Sequence, residues 1–545
     1  MPTVLVNNQP VEIGASERLN CIQAAERAGI EIPHYCYHPS LSVVASCRMC
    51  LVEVGDKKPD GTVAWQPKLV PGCQTPVKDG TVVVSDSPKV KDAQKATLEY
   101  LLLNHPLDCP TCDQAGECGL QDYAFEYGRG YSRLQEPKNI KPDKDHIGGQ
   151  ITLFTDRCIM CTRCVRFTRE VSGTAELQVV ARGTHEEIDI FPGIPCDNKL
   201  AGNVVDLCPV GALCSKDFLY EQRVWWLESK SSVCPDCSTG CSIKVEQNHE
   251  TLFRLKPRSN PQAQGHFMCD EGRFGWKYIH EGNRLQAPEQ RENGRTLSRD
   301  WNQVLPLLRT ALGQAAQQNA KSVAAVLSPW MTVEEAYLLA SLLKGFSPDV
   351  TLALGPVRVD GEDDTFPKDV YGKPVTPVQF TIRAEKAPNR RGVEAVLKHF
   401  QQAVIPYGDI LGGTVNGTFE TLYWVGGDPR PNVNLAQAAA LTKLKLLVVQ
   451  DILKSDAATL AHYVLAGGSF AERDGTFVNH AGLAQEIRRS IHGPENARPD
   501  GRILWELSRR NGLFNAPTLR REIAAAIPAL AALRVGDLGA NGVVL

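Results

Sequence analysis

The placement of the cysteines is the feature that most limits what this chain can fold into. All 18 cysteines of the 545-residue sequence lie between Cys21 and Cys269, and residues 270–545 contain none. Several stand in Cys-x-x-Cys runs, which indicate metal or cluster ligands in a chain without a secretory signal. We therefore expect the cysteine chemistry in the first half and a different role for the second.

Composition excludes several classes of function. Lys and Arg number 59 against 62 Asp and Glu, a net charge of −3. Nucleic acid is not expected as a partner, because such binding needs a basic face. No run of 18 apolar residues occurs, and the first residues lack the basic and apolar order of a secretory signal. We expect neither a membrane span nor a signal peptide.

The cysteines group into four candidate ligand sets, each with four members. They are Cys36, Cys47, Cys50 and Cys73; His105, Cys109, Cys112 and Cys118; Cys158, Cys161, Cys164 and Cys208; and Cys234, Cys237, Cys241 and Cys269. The first set predicts a [2Fe–2S] cluster and the third, with its remote Cys-Pro, is typical of a ferredoxin [4Fe–4S] cluster. The fourth also predicts [4Fe–4S]. Four thiolates suit structural zinc as well, so zinc remains an alternative for the first and fourth sets.

Some residues of these motifs have an open role. The second motif alone does not decide whether His105 is a ligand or an ordinary loop histidine. Three cysteines have no place in any set, and we interpret them as non-ligands: Cys21, Cys196 and Cys214. His34 and His38 flank Cys36, and we interpret them as surface groups or neighbours of a ligand.

The first half reads as small mixed α and β segments. Ser87-Pro88 predicts a helix start that runs to about Leu103, since serine caps helices and proline suits their first turn. Five residues of it are expected to share one face: Val90, Ala93, Thr97, Tyr100 and Leu101. Strands are predicted at 3–6, 11–13 and 51–54, a helix at 17–28, and a linker at 134–147.

The second half has a strand–helix–strand rhythm. Strands are predicted at 323–327, 422–425 and 446–450, with a helix at 434–442. Thr332 and Glu335 form a capping box for a helix that ends near Gly345. The rhythm predicts a parallel α/β sheet. No strand is followed by a Gly-x-Gly-x-x-Gly or Walker-A sequence, so no nucleotide site is expected here.

The order and spacing of the four sets resemble the large iron–sulfur subunit of bacterial respiratory complex I, its G subunit, over residues 1–285. The resemblance implies a ferredoxin-like β-grasp domain at the N-terminus and makes His105 a cluster ligand. It implies one [2Fe–2S] and three [4Fe–4S] clusters. Electrons would pass from the first set to the third, then to the His105 set, with the fourth set off the main route.

Residues 291–545 resemble a shortened molybdopterin oxidoreductase domain. The similarity lies in Gly426-Gly427-Asp428-Pro429, in Leu446–Asp451 and in Glu472–Asn479. With no cysteine after Cys269 there is no thiolate for molybdenum, so we expect a scaffold without that cofactor. The predicted domains are 1–86 for [2Fe–2S], 87–135 for His/Cys3 [4Fe–4S], 148–228 for ferredoxin-like [4Fe–4S], 229–290 for four-Cys [4Fe–4S], and 291–545 for the scaffold.

The resemblance implies an electron-transfer subunit of a proton-pumping NADH:quinone oxidoreductase, with no catalytic residue of its own. Its expected partners are a flavin-bearing NADH-oxidising subunit and the quinone-side iron–sulfur subunits. Its expected place is the cytoplasmic face of the bacterial inner membrane, attached only through the complex. The alternatives are the iron–sulfur subunit of a NAD-linked formate dehydrogenase or hydrogenase, and a zinc scaffold without redox function.

Overall fold

A computed structural model describes residues 1–292, 294–430 and 435–545 of the chain. The chain divides into two compact units. The first contains residues 1–226 and the segment 366–377, and the second contains 227–365 and 378–545. No helix in the described ranges has the length and apolar character that crossing a bilayer requires.

The first unit begins with a mixed sheet on which a short helix packs. The strands follow the order β2-β1-β6-β3-β4, with β5 also paired to β3. Strands β1 and β6 are parallel and the other neighbours antiparallel, as in a β-grasp domain. The elements are β1 (Thr3–Val6), β2 (Gln9–Glu12), α1 (Cys21–Arg27), β3 (Leu51–Lys57), β4 (Val63–Trp65), β5 (Val70–Pro71) and β6 (Thr81–Val84).

Local sequence explains how this sheet starts. Asn7 and Asn8 both take positive φ, 45° and 66°, which a two-residue hairpin turn needs and which asparagine tolerates. The predicted helix at 17–28 is shorter than expected. It starts after Asn20, whose side chain accepts the Gln23 N–H while the Gln23 side chain accepts the Asn20 N–H. This reciprocal cap fixes the start of α1 at Cys21, four residues later than the sequence pattern suggested.

The rest of the first unit is short helices and two-stranded ribbons. The elements are α2 (Pro88–Leu102), α3 (Gly119–Tyr127), β7 (Ile151–Leu153), α4 (Arg163–Glu170), β8 (Leu177–Val180), β9 (Glu187–Ile190), α5 (Asn203–Leu207) and β10 (Leu213–Ser215). Strand β7 pairs with β10 and β8 with β9, both antiparallel. The predicted linker at 134–147 is partly buried, because Lys144 is 6% exposed and forms ion pairs with Glu187 and Asp189.

Helix α2 confirms the predicted cap and corrects the predicted face. Ser87 Oγ accepts the Val90 N–H and Pro88 is the first helical residue. The buried residues are Val90, Gln94 and Leu98, whereas Tyr100 is 77% exposed. The predicted face followed Val90 through Ala93 and Thr97, whereas the buried stripe follows every fourth residue, so the real face is rotated from the predicted one.

The second unit holds a three-stranded antiparallel sheet and a larger α/β sheet. Its elements up to residue 400 are β11 (Glu228–Val233), β12 (Ser242–Asn248), β13 (Thr251–Pro257), α6 (Asp270–Phe274), β14 (Glu289–Glu292), β15 (Arg295–Ser298), α7 (Trp301–Asn319), β16 (Val323–Leu327), α8 (Val333–Phe346), β17 (Thr351–Leu354), β18 (Asp364–Phe366), β19 (Phe380–Ile382) and α9 (Arg390–Gln401). Those after it are β20 (Ile405–Pro406), α10 (Tyr407–Val415), β21 (Thr421–Val425), α11 (Leu435–Leu441), β22 (Leu446–Asp451), α12 (Asp456–Leu460), β23 (Tyr463–Ala466), β24 (Gly475–Val478), β25 (Leu483–Ile487), α13 (Asp500–Leu507), α14 (Ala516–Ala526) and β26 (Val543–Val544).

The predicted parallel sheet is confirmed. Its order is β15-β14-β23-β22-β21-β16-β17-β20, with every pair from β23 to β20 parallel. The central strands are buried on both faces, which explains their apolar runs. The capping box of Thr332 and Glu335 begins α8 as predicted. Of the predicted helix at 434–442, residue 434 lies outside the described residues.

Candidate iron–sulfur sites

The first ligand set surrounds the loop that leads from α1 into β3. Cys36 lies in this loop, and Cys47 and Cys50 lie at its end. Arg48 has a φ of 60°, which turns the backbone sharply between the two cysteines. The N–H groups of Cys47 and Met49 hydrogen-bond to the sulfurs of Cys36 and Cys47. The compact loop therefore directs backbone donors at thiol sulfur.

Cys73 reaches this set through β5. The pairing of β5 with β3 is extended by Gly72, whose N–H donates to the Cys50 carbonyl at 2.7 Å. This register brings the Cys73 side chain into hydrogen-bond contact with those of Cys36 and Cys50. The two ends of the set, 37 positions apart in the sequence, thus meet at one point.

The four thiols of the first set hydrogen-bond to one another. Hydrogen bonds from Cys47 and Cys73 lower the pKa of Cys36. Donating to Cys36 raises the pKa of Cys47 and that of Cys73. Iron–sulfur clusters bind thiolates, so assembly of a cluster would replace these shared protons by iron.

The second set lies between α2 and α3. His105 follows the end of α2, and Cys118 is the N-cap residue of α3. Cys109 and Cys112 lie in the turn between them, where the Cys112 N–H donates to the Asp108 carbonyl at 2.8 Å. Burial, and to a smaller extent the neighbouring thiols, raise the pKa of Cys112 and that of Cys118. Cys109 is exposed and the other two are buried.

The imidazole of His105 has the properties of a metal ligand. Burial lowers the pKa of His105 to about 4, so the ring is neutral near pH 7 and can donate a lone pair. The Arg157 backbone hydrogen-bonds to the ring, while Nδ1 is buried with no hydrogen-bond partner among the described residues. A neutral imidazole with a buried, unpaired nitrogen can offer that nitrogen to a metal.

The third set packs at the start of α4. Cys158 and Cys161 precede α4, Cys164 is its second residue, and Cys208 directly follows α5. The Met160 N–H donates to the Cys158 sulfur at 3.4 Å. Burial raises the pKa of Cys158 to about 12 and that of Cys161 to about 11. These thiols stay neutral until a cation displaces their protons.

The third set contacts the second through the chain after Cys208. The Cys118 sulfur lies 3.9 Å from the carbonyl oxygen of Pro209. A Cβ built on Gly211 would lie only 2.1 Å from the Cys112 sulfur. Glycine at this position is therefore what allows a ligand of the second set to pack against the loop that carries a ligand of the third.

The third set contacts the first through one side chain. Arg166 on α4 donates to the carbonyl of Cys36 and, at 3.3 Å, to that of Cys161. The sequence analysis did not single out this residue. It follows the third cysteine of the Cys-x-x-Cys-x-x-Cys run by two residues, but its link to Cys36, 130 residues earlier, is not visible in the sequence.

The four cysteines of the fourth set are buried in the second unit. The Cys234 N–H donates to the Cys241 carbonyl at 2.9 Å. Cys269 caps α6, where its sulfur accepts the Gly272 N–H at 3.4 Å. A Cβ on Gly272 would lie 2.7 Å from the Cys234 sulfur. All four cysteines are buried, with exposures of 3–4%.

Charged side chains that the sequence analysis missed surround the fourth set. Lys386, 4% exposed in its side chain, pairs with Glu271 and lies 3.5 Å from Asp236. Arg430 pairs with the same two carboxylates at 2.7 and 2.9 Å. These four groups come from three distant parts of the sequence, and only the fold brings them together.

The three remaining cysteines are buried in the structure. The Cys21 thiol donates to the Thr75 carbonyl at 3.4 Å, and the Cys214 thiol lies 3.6 Å from the Gly211 carbonyl. Cys196 is 0% exposed. Burial raises the pKa of Cys21 to about 12, so its thiol stays protonated. A buried neutral thiol behaves as a small apolar side chain.

A Cys21→Ala variant is expected to keep its full iron content. The loss of one buried sulfur should cost about 1 kcal/mol of folding free energy. The matched variant Cys73→Ala is expected to lose the first cluster. Iron and acid-labile sulfide analysis of the two purified proteins checks this, and loss of iron in Cys21→Ala would make Cys21 a ligand.

The ligating atoms of the four sets fit iron–sulfur clusters. Fifteen cysteines and one imidazole supply the four sets, and backbone N–H groups point at several of the sulfurs. Thiolates that accept backbone hydrogen bonds are the usual ligands of iron–sulfur clusters. In the described ranges, no three His, Cys, Asp or Glu side chains form an arrangement suited to a single metal ion.

The fold and the thiolate sets define a modular iron–sulfur protein with an α/β second half. Five family models match: "2Fe-2S iron-sulfur cluster binding domain" at 2–88, "NADH-ubiquinone oxidoreductase-G iron-sulfur binding region" at 94–133, "NADH-quinone oxidoreductase subunit 3, ferredoxin-like domain" at 148–214, "Molybdopterin oxidoreductase Fe4S4 domain" at 227–281 and "Molybdopterin oxidoreductase" at 410–510. The predicted fold class is confirmed.

Among curated proteins, the chain is similar to the G subunit of the NADH-quinone oxidoreductase of Rickettsia felis, with 37% identity over 63% of this chain and 49% of that protein. The NADH-ubiquinone oxidoreductase 75 kDa subunit of Reclinomonas americana is 38% identical over 63% of this chain and 48% of its own length. The chain spans about half the length of the curated relatives it matches.

A solved structure of NAD+-reducing [NiFe]-hydrogenase in the H2-reduced state is 26% identical over 41% of this chain and 91% of the hydrogenase chain. Its TM-score is 0.35, too low for the likeness to bear on function.

Proposed function

We propose that this chain is an electron-transfer subunit of a proton-pumping NADH:quinone oxidoreductase. It receives electrons from a flavin-bearing, NADH-oxidising subunit and delivers them to iron–sulfur subunits on the quinone side. The similarity to the G and 75 kDa subunits of such enzymes supports this assignment. In this proposal the protein stands at the cytoplasmic face of a bacterial inner membrane and meets the membrane only through the complex.

The proposed ligands are the sixteen side chains of the four sets. They hold one [2Fe–2S] cluster at the Cys36 set and three [4Fe–4S] clusters at the His105, Cys158 and Cys234 sets. The clusters supply one-electron redox chemistry, and the chain's own residues hold them, bury them and hydrogen-bond to their sulfur ligands. The proposed domains are those of the sequence analysis, 1–86, 87–135, 148–228, 229–290 and 291–545.

Contacts within the first unit support the proposed electron route. The third set touches the first through Arg166 and the second through the segment from Cys208 to Gly211. Electron transfer needs short gaps between centres, so these contacts support a route from the first set to the third and on to the His105 set. No general acid, base or nucleophile takes part.

Iron, sulfide and metal analysis of the anaerobically purified chain, combined with low-temperature EPR, tests the proposal. We expect about 14 iron atoms per chain, one [2Fe–2S] signal and several [4Fe–4S] signals after reduction. Zinc without acid-labile sulfide would overturn the proposal in favour of a structural scaffold. Molybdenum with formate oxidation, or co-purification with a hydrogenase, would replace it by one of those enzymes.

A His105→Cys variant is expected to keep its cluster and lower its midpoint potential. Thiolate in place of neutral imidazole adds a negative charge next to the iron, which disfavours reduction. EPR-monitored redox titration measures the shift, with the signal of the Cys158 set as internal reference. Complete indifference of the signal to the substitution would argue that His105 is not a ligand.

A further inference from the structure

Helix α4 places a buried arginine between two of the candidate clusters. The Arg166 side chain is 6% exposed. Its guanidinium donates to the Ser42 carbonyl at 2.5 Å, to the Cys36 carbonyl, and to the Cys161 carbonyl at 3.3 Å. Cys36 belongs to the first ligand set and Cys161 to the third. One rigid, planar donor group therefore holds the two ligand loops at a fixed distance.

No carboxylate in the described part of the chain hydrogen-bonds to the Arg166 guanidinium. Its remaining contact, from Nε to the Thr162 hydroxyl at 3.4 Å, is also to a neutral group. Across the described residues, every recorded partner of this side chain is a carbonyl or a hydroxyl. A buried cation is costly unless a negative charge lies nearby, so this position calls for an anion beside it.

A second arginine one turn earlier makes similar contacts. Arg163 donates to the carbonyl of Tyr37, next to Cys36, and to that of Leu207, next to Cys208, the latter at 3.3 Å. Its Nε is buried without a hydrogen-bond partner in the part of the chain that is described. Positions i and i+3 share a helix face, so both cations lie between the same two ligand sets.

We propose that Arg166, assisted by Arg163, is the positioning residue and shared counter-charge of the first and third clusters. The inference rests on the proposed function, because it requires clusters at both sets. In the step that it serves, the reduced first cluster loses one electron and the oxidised third cluster gains it. No bond or proton is transferred.

The physical consequence is a change in potential. A cluster held by four thiolates is an anion, and reduction makes it more negative. A buried cation near it stabilises the reduced form more than the oxidised one, in a region where charges are weakly screened. Arg166 therefore raises the midpoint potentials of both neighbouring clusters. Because both rise together, the difference between the two potentials stays small.

The test is an EPR-monitored redox titration of the holoprotein with Arg166→Gln. We expect the equilibrium constant for one-electron reduction to fall about tenfold for the [2Fe–2S] cluster and for the cluster of the Cys158 set. This fall lowers each midpoint potential by about 59 mV. The Cys234-set signal should not shift. The matched control is Arg169→Gln, which removes the same charge from the exposed side of α4 and should leave all potentials unchanged. Arg166→Lys keeps the charge and should restore the potentials.

The outcomes separate this inference from the proposed function. Absence of iron and of EPR signals in the wild-type chain contradicts the proposed function. Full iron with unshifted potentials in Arg166→Gln overturns the role of Arg166. If Arg166→Gln loses its clusters, Arg163→Gln decides, because it breaks fewer hydrogen bonds: a fall of about threefold in both equilibria supports the shared counter-charge, and unchanged potentials overturn it.

Discussion

Replacing Gly211 by alanine is expected to remove the cluster of the His105 set and leave the others in place. The new Cβ would lie 2.1 Å from the Cys112 sulfur and 3.1 Å from the Cβ of Gln114. Cys112 is only 9% exposed and has little room to move away. The backbone of Gly211 does not lie in the left-handed region, so the effect would come from the sulfur and not from backbone strain.

Iron analysis and EPR of the Gly211→Ala protein measure this effect. We expect a loss of about 4 iron atoms per chain and of the signal that responds to His105→Cys. Gly130→Ala is the matched control, since a Cβ there would meet no atom within 4 Å and should leave the iron content unchanged. A Gly211→Ala protein with full iron and an unaltered signal would contradict the placement of Cys112.

Local chemistry allowed much of the fold to be predicted from the sequence. The caps at Ser87 and Thr332 were identified correctly because capping depends on residues three positions apart. The parallel sheet followed from apolar runs such as Val323–Leu327, which are buried on both faces. The ligand sets were candidates because cysteine spacing within each motif is itself a local property.

The features of the candidate sites that the sequence did not indicate depend on contacts between residues far apart in the chain. Glycine is needed at position 211 because Cys112, 99 positions earlier in the sequence, packs on it. Lys386 and Arg430 reach Asp236 from more than 100 positions away. Arg163 and Arg166 stand beside the cysteines of the third motif in the sequence, but their acceptor carbonyls, those of Tyr37 and Cys36, lie far away in the sequence.

The second large effect is expected in the second unit, from Arg284→Met. Arg284 is 2% exposed and forms a two-pronged ion pair with Glu472, with N–O distances of 2.9 and 2.8 Å. It also donates to the Ile279 carbonyl at 2.8 Å. Removing the cation leaves the Glu472 carboxylate buried without its counter-charge, which should cost about 3–5 kcal/mol. We expect the calorimetric transition of this unit to fall by roughly 5–15 °C.

Two further variants show whether the loss comes from the uncompensated charge. The double variant Arg284→Met/Glu472→Leu removes both charges and should recover much of the stability, because apolar residues can replace a buried ion pair at little cost. Lys445→Met breaks the exposed pair with Glu420, whose side chains are 73% and 41% exposed, and should cost under about 1 kcal/mol. Equal losses in Arg284→Met and Lys445→Met would contradict the argument from burial. A double variant less stable than Arg284→Met would assign the loss to packing, since no unpaired carboxylate would then remain.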